Sequence, residues 1–302
     1  MVEASSYIPT SHDIDLSQVK PEENKDKNQF IYGPSSEKKP KWWKRLAGRR
    51  GTKCQRAAID RMSKYMIPKV EYGTYLKINS SQEIWCEIGF GDGANILQNA
   101  KKYPERIYFG AELYQPSVGN LCIAIENEQE QQKKRIMENT NRAERNSIDI
   151  EHPAVFFSAE DKSIDRSLVY SNVRIYRGDG TKLLRSLPSN SMSSISVTFP
   201  DPFANSNQEK WRIMQSNIIC EIGRILKNSC GRFYLATDVE EYDNWTRKLF
   251  QKEPCLNDLK WAEVVPVPPR TDWLPITSQY EKKGLDEGRR TYLQCWELTN
   301  SI

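Results

Sequence analysis

The chain has 302 residues, 38% hydrophobic and 28% charged, with a formal net charge of +4. That is room for one large domain with extensions or two small ones, and the low apolar share suits a folded core with polar tails or insertions. No apolar run approaches the ~18–20 residues of a membrane span, and Met1-Val2-Glu3-Ala4-Ser5-Ser6 lacks the basic and apolar stretches of a secretory leader. A nuclear or cytoplasmic protein without membrane contact is therefore expected. Seven scattered cysteines without a C-x-x-C pair argue for reduced thiols and against a zinc site. The two histidines, His12 and His152, fall in an expected tail and an expected insertion. Imidazole catalysis and a metal centre are both disfavoured.

In chain order, residues 1–35 are polar and aperiodic and are expected to be a disordered tail. Residues 36–80 form a basic segment that carries a helix. Lys38, Lys39, Lys41, Lys44, Arg45, Arg49, Arg50, Lys53 and Arg56 follow one another without an acid, and Trp42 and Trp43 are interleaved. Such a segment suits a nucleic-acid backbone, and equally a solubilising or import tail. Thr52-Lys53-Cys54-Gln55 is a capping-box pattern, opening a helix with Ala58, Ile59, Met62, Tyr65 and Met66 on one face.

From Ile84 strands alternate with helices. Strands are predicted at Ile84–Ile88, Arg106–Leu113, Val173–Arg177, Ile195–Phe199, Arg232–Ala236 and Thr291–Leu298. Helices are predicted over Ala94–Lys102, from Gln115 onward, along the stripe Trp211, Met214, Ile218, Ile222, Ile225, and around Trp245 and Leu249. The stretch from Glu126 to Arg145 is highly charged and is expected to be exposed. The alternation predicts an α/β fold with a doubly wound, mostly parallel sheet.

Four of these strands end in or next to a carboxylate: Glu87, Glu112, Asp179 and Asp201. In a parallel sheet those ends share the edge where ligands bind. Gly89, Gly91 and Gly93 let backbone approach a ligand, and Glu112, 21 residues after Gly91, has the spacing of a ribose-binding acid. Gly89-x-Gly91-x-x-Ala94 also fits a dinucleotide fingerprint, but a row of acids suits a sulfonium and an ammonium better than a pyrophosphate. Asp201 stands out because Pro200 and Pro202 restrict the backbone on both sides of it.

Glu87-Ile88-Gly89-Phe90-Gly91-Asp92-Gly93, Phe109-Gly110-Ala111-Glu112 and Phe199-Pro200-Asp201-Pro202 together resemble the tRNA (guanine-N7-)-methyltransferase family. So do Lys210-Trp211-Arg212-Ile213, Ala236-Thr237-Asp238 and Thr277-Ser278-Gln279-Tyr280-Glu281 followed by Gly288. The resemblance covers about residues 49–302. It implies a Rossmann-like class I methyltransferase domain over 81–302 with an insertion at about 127–172, and S-adenosylmethionine as donor without a metal. It further implies a guanine in the variable loop of tRNA as acceptor and, for a eukaryotic source, a WD-repeat β-propeller partner. Glu87, Gly89, Gly91, Glu112, Leu113, Asp179 and Gly180 would bind the donor, and Asp201 would be the catalytic carboxylate facing the guanine. Asp238, Thr277, Ser278, Glu281, Lys210 and Arg212 would contact the substrate.

One departure stands out. Where the family carries a basic stretch after Phe-Pro-Asp-Pro, this chain has Asn205, Asn207 and Gln208, and only Lys210 and Arg212 remain cationic. A catalytically degenerate family member that binds RNA or a partner, and a small-molecule methyltransferase on the same fold, therefore stand beside the active enzyme as alternatives. The basic arm can be tested directly. Affinity for tRNA should fall steeply with salt, and deleting residues 1–50 should flatten that slope; an unchanged slope in the truncated protein would show that the arm makes no RNA contact.

Overall fold

The computed structural model describes residues 48–70, 76–78, 82–145, 164–228, 230–252 and 259–300. The tail 1–35 and the tryptophan-containing part of the basic segment lie outside these residues. The first helix, α1 (Lys53–Arg61), is set by the capping box. The Thr52 hydroxyl accepts from the Gln55 amide at 3.3 Å, and the Gln55 side chain accepts from the Thr52 amide at 2.7 Å.

Seven strands follow: β1 (Ile84–Ile88), β2 (Ile107–Glu112), β3 (Val173–Arg177), β4 (Ser194–Thr198), β5 (Arg232–Thr237), β6 (Leu259–Glu263) and β7 (Tyr292–Asn300). They form one sheet in the order β3-β2-β1-β4-β5-β7-β6. β1 to β5 are parallel, and β7 runs antiparallel between β5 and β6. The connecting helices are α2 (Ala94–Lys102), α3 (Gln115–Arg145), α4 (Gly180–Ser186), α5 (Ser216–Ile225), α6 (Glu240–Lys252) and α7 (Gln279–Asp286). The winding direction reverses between β1 and β4, so the crevice beyond their C-terminal ends is where such a sheet binds ligands.

Each face of the sheet is covered. Cys86, Ile88, Phe109, Val197 and Phe233 pack beneath Leu183 and Leu184 of α4 and Ile218, Ile222 and Ile225 of α5. On the other side Phe90, Ile96, Leu121 and Ile125 pack with Ala58 of α1 and Tyr65. Among the described residues no helix is long and apolar enough to cross a membrane.

Three expectations change. The helix predicted from Trp211 begins only at Ser216, because the Gln215 side chain donates to the carbonyls of Glu209 (2.7 Å) and Arg212 (3.2 Å) and fastens that stretch as a loop. The charged stretch after Glu126 continues α3; residues 133–139 are exposed as expected, and the expectation changes only for the turn before them, which is pinned by side-chain hydrogen bonds. Gln129 donates to the Tyr65 hydroxyl (2.9 Å) and the Val169 carbonyl (2.8 Å), while Gln132 accepts from the Val169 amide (2.7 Å). Third, β6, α4 and α7 have no counterpart among the elements predicted from periodicity.

Ile222 is fully buried between α5 and the sheet. Replacing it with alanine should cost about 2–5 kcal/mol of unfolding free energy, read from the shift of a urea denaturation midpoint.

Candidate active site

Parallel register brings the predicted acids to one edge. Ile88 is level with Ala111 and Val197, Glu112 with Arg177, and Thr198 with Ala236. The strand ends are sewn together just past the ladder. Gly89 donates its amide to the Ala111 carbonyl at 2.8 Å, Gly178 to Glu112 at 3.0 Å, and Phe199 to Ala236 at 2.8 Å.

The glycine turn has φ of +77° at Gly89, +59° at Gly91 and +76° at Gly93, a region that L-residues with a Cβ rarely enter. A Cβ at Gly89 or Gly91 would meet no atom within 4 Å, so open space lies in front of this turn. Gly93 differs, because its Cβ would come within 2.6 Å of Leu121. Glu112 braces the turn by accepting from the Gly91 amide (3.0 Å) and the Tyr114 amide (2.8 Å). Burial pushes its carboxyl up in pKa, and the backbone N–H groups oppose that shift. Each Glu112 oxygen keeps a second acceptor site. Leu113, between these anchors, is half-buried.

Glu87 is 7% exposed. It accepts from the Thr198 hydroxyl at 3.0 Å and from the Asn95 amide at 3.2 Å. Burial raises its pKa to about 7 despite these two donors. Asp179 caps α4, accepting from the Thr181 amide (3.1 Å) and hydroxyl (2.8 Å). Gly180, expected at the donor, also serves packing. A Cβ there would lie 2.5 Å from the Ile88 side chain, so glycine lets α4 sit against β1.

Asp201 is exposed beyond β4. The residues outside its two prolines both adopt left-handed backbone, Phe199 at φ +46° and Phe203 at φ +42°. Strain of this kind, of order 1–3 kcal/mol per residue, persists only where surroundings impose it.

Two expected substrate residues are engaged elsewhere. Arg212 is 2% exposed and donates to the Pro202 carbonyl (2.8 Å), the Phe203 carbonyl (3.2 Å) and Glu241 (2.6 Å). All of these partners lie within the chain, and they leave its side chain 1% exposed. Glu281 is 1% exposed; it is paired bidentately with Arg270 and accepts from the Thr291 hydroxyl at 2.9 Å. A carboxylate so enclosed ties Arg270 and Thr291 to the start of α7. Ser278 caps α7 by accepting from the Glu281 amide at 3.1 Å, while Thr277 is exposed. Asp238 is paired with Arg289 at 2.8 Å and packs on Gly284, where a Cβ would fall 2.5 Å from its carboxylate. Lys210 is exposed, its ammonium 5.7 Å from the Trp211 ring centre.

Sequence reasoning missed Asn95, Thr198, Arg270 and Arg289. Asn95 donates both to Glu87 and to the Trp273 carbonyl (3.1 Å), which Asn99 also reaches at 3.1 Å. Their partners lie up to 178 residues away, and no local spacing could have paired them.

The raised pKa of Glu87 has a pH signature. Between its ordinary value of 4.5 and about 7 the folded chain retains a proton that the unfolded chain has lost, so this residue's burial lowers stability as pH rises through that window. The Glu87→Gln variant should lose that contribution. Its fall in unfolding free energy from pH 5 to pH 8 should be smaller than the unmodified chain's by on the order of 1–3 kcal/mol, measured by denaturant titration at both pH values; equal falls would contradict the assignment.

The sequence profile of one protein family, described as "Putative methyltransferase", matches residues 81–294. The tRNA (guanine-N(7)-)-methyltransferase of Caulobacter sp. (strain K31) is 27% identical over 240 residues, covering 79% of this chain and 87% of the relative. The protein of the same name from Nitrosococcus oceani is 26% identical over 221 residues, covering 73% and 72%. That of Corynebacterium diphtheriae is 39% identical over 118 residues, covering 39% and 44%. With the profile spanning most of the chain, and the acid-ended strands and glycine turn assembled on one sheet edge, this protein belongs to that methyltransferase family, the one its resemblance to tRNA (guanine-N7-)-methyltransferases indicated.

Proposed function

We propose that this chain transfers a methyl group from S-adenosylmethionine to N7 of a guanine in the variable loop of tRNA. The observation that carries the reading is an exposed carboxylate, Asp201, between two left-handed phenylalanines, on the sheet edge that also holds an open glycine turn, buried Glu87 and half-buried Glu112 and Asp179. The relatives named for this activity supply the acceptor.

The residues present fit the donor. Open space in front of Gly89 and Gly91 leaves room for it, and Glu112 and Asp179, joined by Glu87 above its raised pKa of about 7, offer negative charge to a ligand that carries a sulfonium and an ammonium. Gly89, Gly91 and Leu113 would complete that pocket. Bound there, S-adenosylmethionine supplies an electrophilic methyl group. Guanine N7 is an unprotonated acceptor atom, so it can attack without first losing a proton. The protein then needs no strong general base. Its work is orientation and exclusion of water, which agrees with a chain that holds only two histidines.

Asp201 would accept hydrogen bonds from the N1–H and N2–H donors of the guanine and so aim N7. Reading that edge requires a base lifted out of its stack. Thr277, exposed beside α7, and Asp238 would flank it. Lys210 is the outward-facing cation left in 203–212, so phosphate contact near the site is thin and the burden of backbone binding shifts to the basic segment before α1.

Incubation with tRNA and labelled donor tests this. Label should enter tRNA as a base-labile, N7-methylated guanine. The Asp201→Ala variant should lose transfer by about 100-fold or more while keeping its donor affinity. Donor binding without any transfer by the unaltered protein would favour the degenerate family member, and full activity of the Asp201 variant would remove the role given to that residue.

A further inference from the structure

We propose that Arg212 is a positioning residue for methyl transfer: it acts through the backbone of the Asp201 loop, which its guanidinium holds in the strained form that presents the carboxylate. The inference rests on the role given to Asp201.

The loop has two anchors. At its start the Phe199 amide donates to the Ala236 carbonyl at 2.8 Å, and Phe199 packs against the cluster that contains Tyr234, Ala236 and Trp273. At its end the anchor is Arg212. Nε donates to the Pro202 carbonyl at 2.8 Å and one terminal nitrogen donates to the Phe203 carbonyl at 3.2 Å. These carbonyls follow Asp201 directly in the chain, and Phe203 is one of the two left-handed residues. A planar fork of fixed geometry suits two successive carbonyls; an ammonium on a flexible stem does not.

Arg212 is itself held from the far side. It pairs with Glu241 at 2.6 Å and with Glu209 at 3.6 Å, and lies over the Trp245 ring at 4.9 Å. Glu241 and Trp245 belong to α6, which packs on the sheet through Tyr242 and Phe250. The rigidity of a core helix thus passes through one guanidinium to the residues that flank Asp201. Without it, a loop with φ of +46° and +42° at two phenylalanines would relax. Because proline removes backbone donors and fixes φ, the relaxed loop would carry Asp201 with it as a unit.

The test compares Arg212→Lys, which keeps the charge opposite Glu241, with the unaltered full-length protein. We expect a kcat lower by about 10–100-fold, with KM for tRNA and the dissociation constant of S-adenosylhomocysteine each within about threefold. The Arg212→Ala variant should be partly rescued by added ethylguanidinium, an outcome that general loss of packing would not give. A double-mutant cycle makes the mechanism explicit. In an Asp201→Asn background with residual activity, Arg212→Lys should cost much less than it does alone, because the carboxylate it positions is gone. Equal effects in both backgrounds, or unchanged kcat in Arg212→Lys, would overturn the proposal. If Asp201→Asn is itself fully active, the reading of Asp201 fails first, and the two failures are told apart.

Discussion

The carboxylate of Glu87 accepts from Thr198 at the end of β4 and from Asn95 in the first turn of α2, and the same Asn95 amide reaches the carbonyl of Trp273. Three stretches far apart in the chain, 87–95, Thr198 and Trp273, therefore meet around one buried acid. Asn95 fixes the helix that follows the glycine turn, and Thr198 fixes the strand that leads into Phe199-Pro200-Asp201. Trp273 fixes the segment that carries Arg270 and α7. Removing this acid would take an acceptor from the half-buried Thr198 hydroxyl and from one N–H of the buried Asn95 amide, each at a cost of order 1–3 kcal/mol where water cannot replace it. The relative placement of glycine turn, Asp201 and C-terminal segment depends on it.

A second tie, built of stacked rings and one guanidinium, supports the same segment. The guanidinium of Arg106 lies between the rings of Tyr103 (3.9 Å) and Trp85 (4.8 Å). Trp85 stacks on Tyr234 at 6.0 Å, and Tyr234 on Trp273 at 4.8 Å. This column crosses one face of the sheet and ends at the tryptophan whose carbonyl Asn95 and Asn99 hold. A cleft of about 530 Å³ at the opposite, N-terminal end of the strands is lined by members of the column, including Trp85, Tyr103 and Tyr234. The ring faces there are engaged by their own neighbours, so the column acts as a brace for residues 270–276.

Much of the fold was legible because its signals are local. The strand at Val173–Arg177 and the helix at Ala94–Lys102 stand where the sequence pattern puts them, since apolar runs and turn glycines act over a few residues. The convergence of Glu87, Glu112, Asp179 and Asp201 followed from parallel topology alone. The roles of Arg212 and Glu281 were not legible. Each looks like a surface ligand in a polar stretch, yet each is buried by partners that only the folded chain supplies, Glu241 and Trp245 for the first and Arg270 for the second. Short α4 and α7 were hidden for a related reason. Their starts are set by Asp179 and Ser278 acting as caps, and those residues also carried plausible ligand readings.

The central pairing of the sheet has a consequence for how the chain is made. β1 lies between β2, which follows it closely, and β4, whose first residue is level with Trp85 although 109 positions separate the Ile84 amide from the Ser193 hydroxyl it donates to. During synthesis, β1, β2 and β3 can associate while β4 is still unmade, and β1 then presents a bare edge of unpaired N–H and C=O groups beside an apolar face of Ile84, Cys86 and Ile88. An unpaired apolar edge is a template for another chain. The interval between completion of β3 and arrival of β4 is thus the period in which a nascent chain is most exposed to aggregation, and it closes only when the strand that carries the Asp201 loop takes its place.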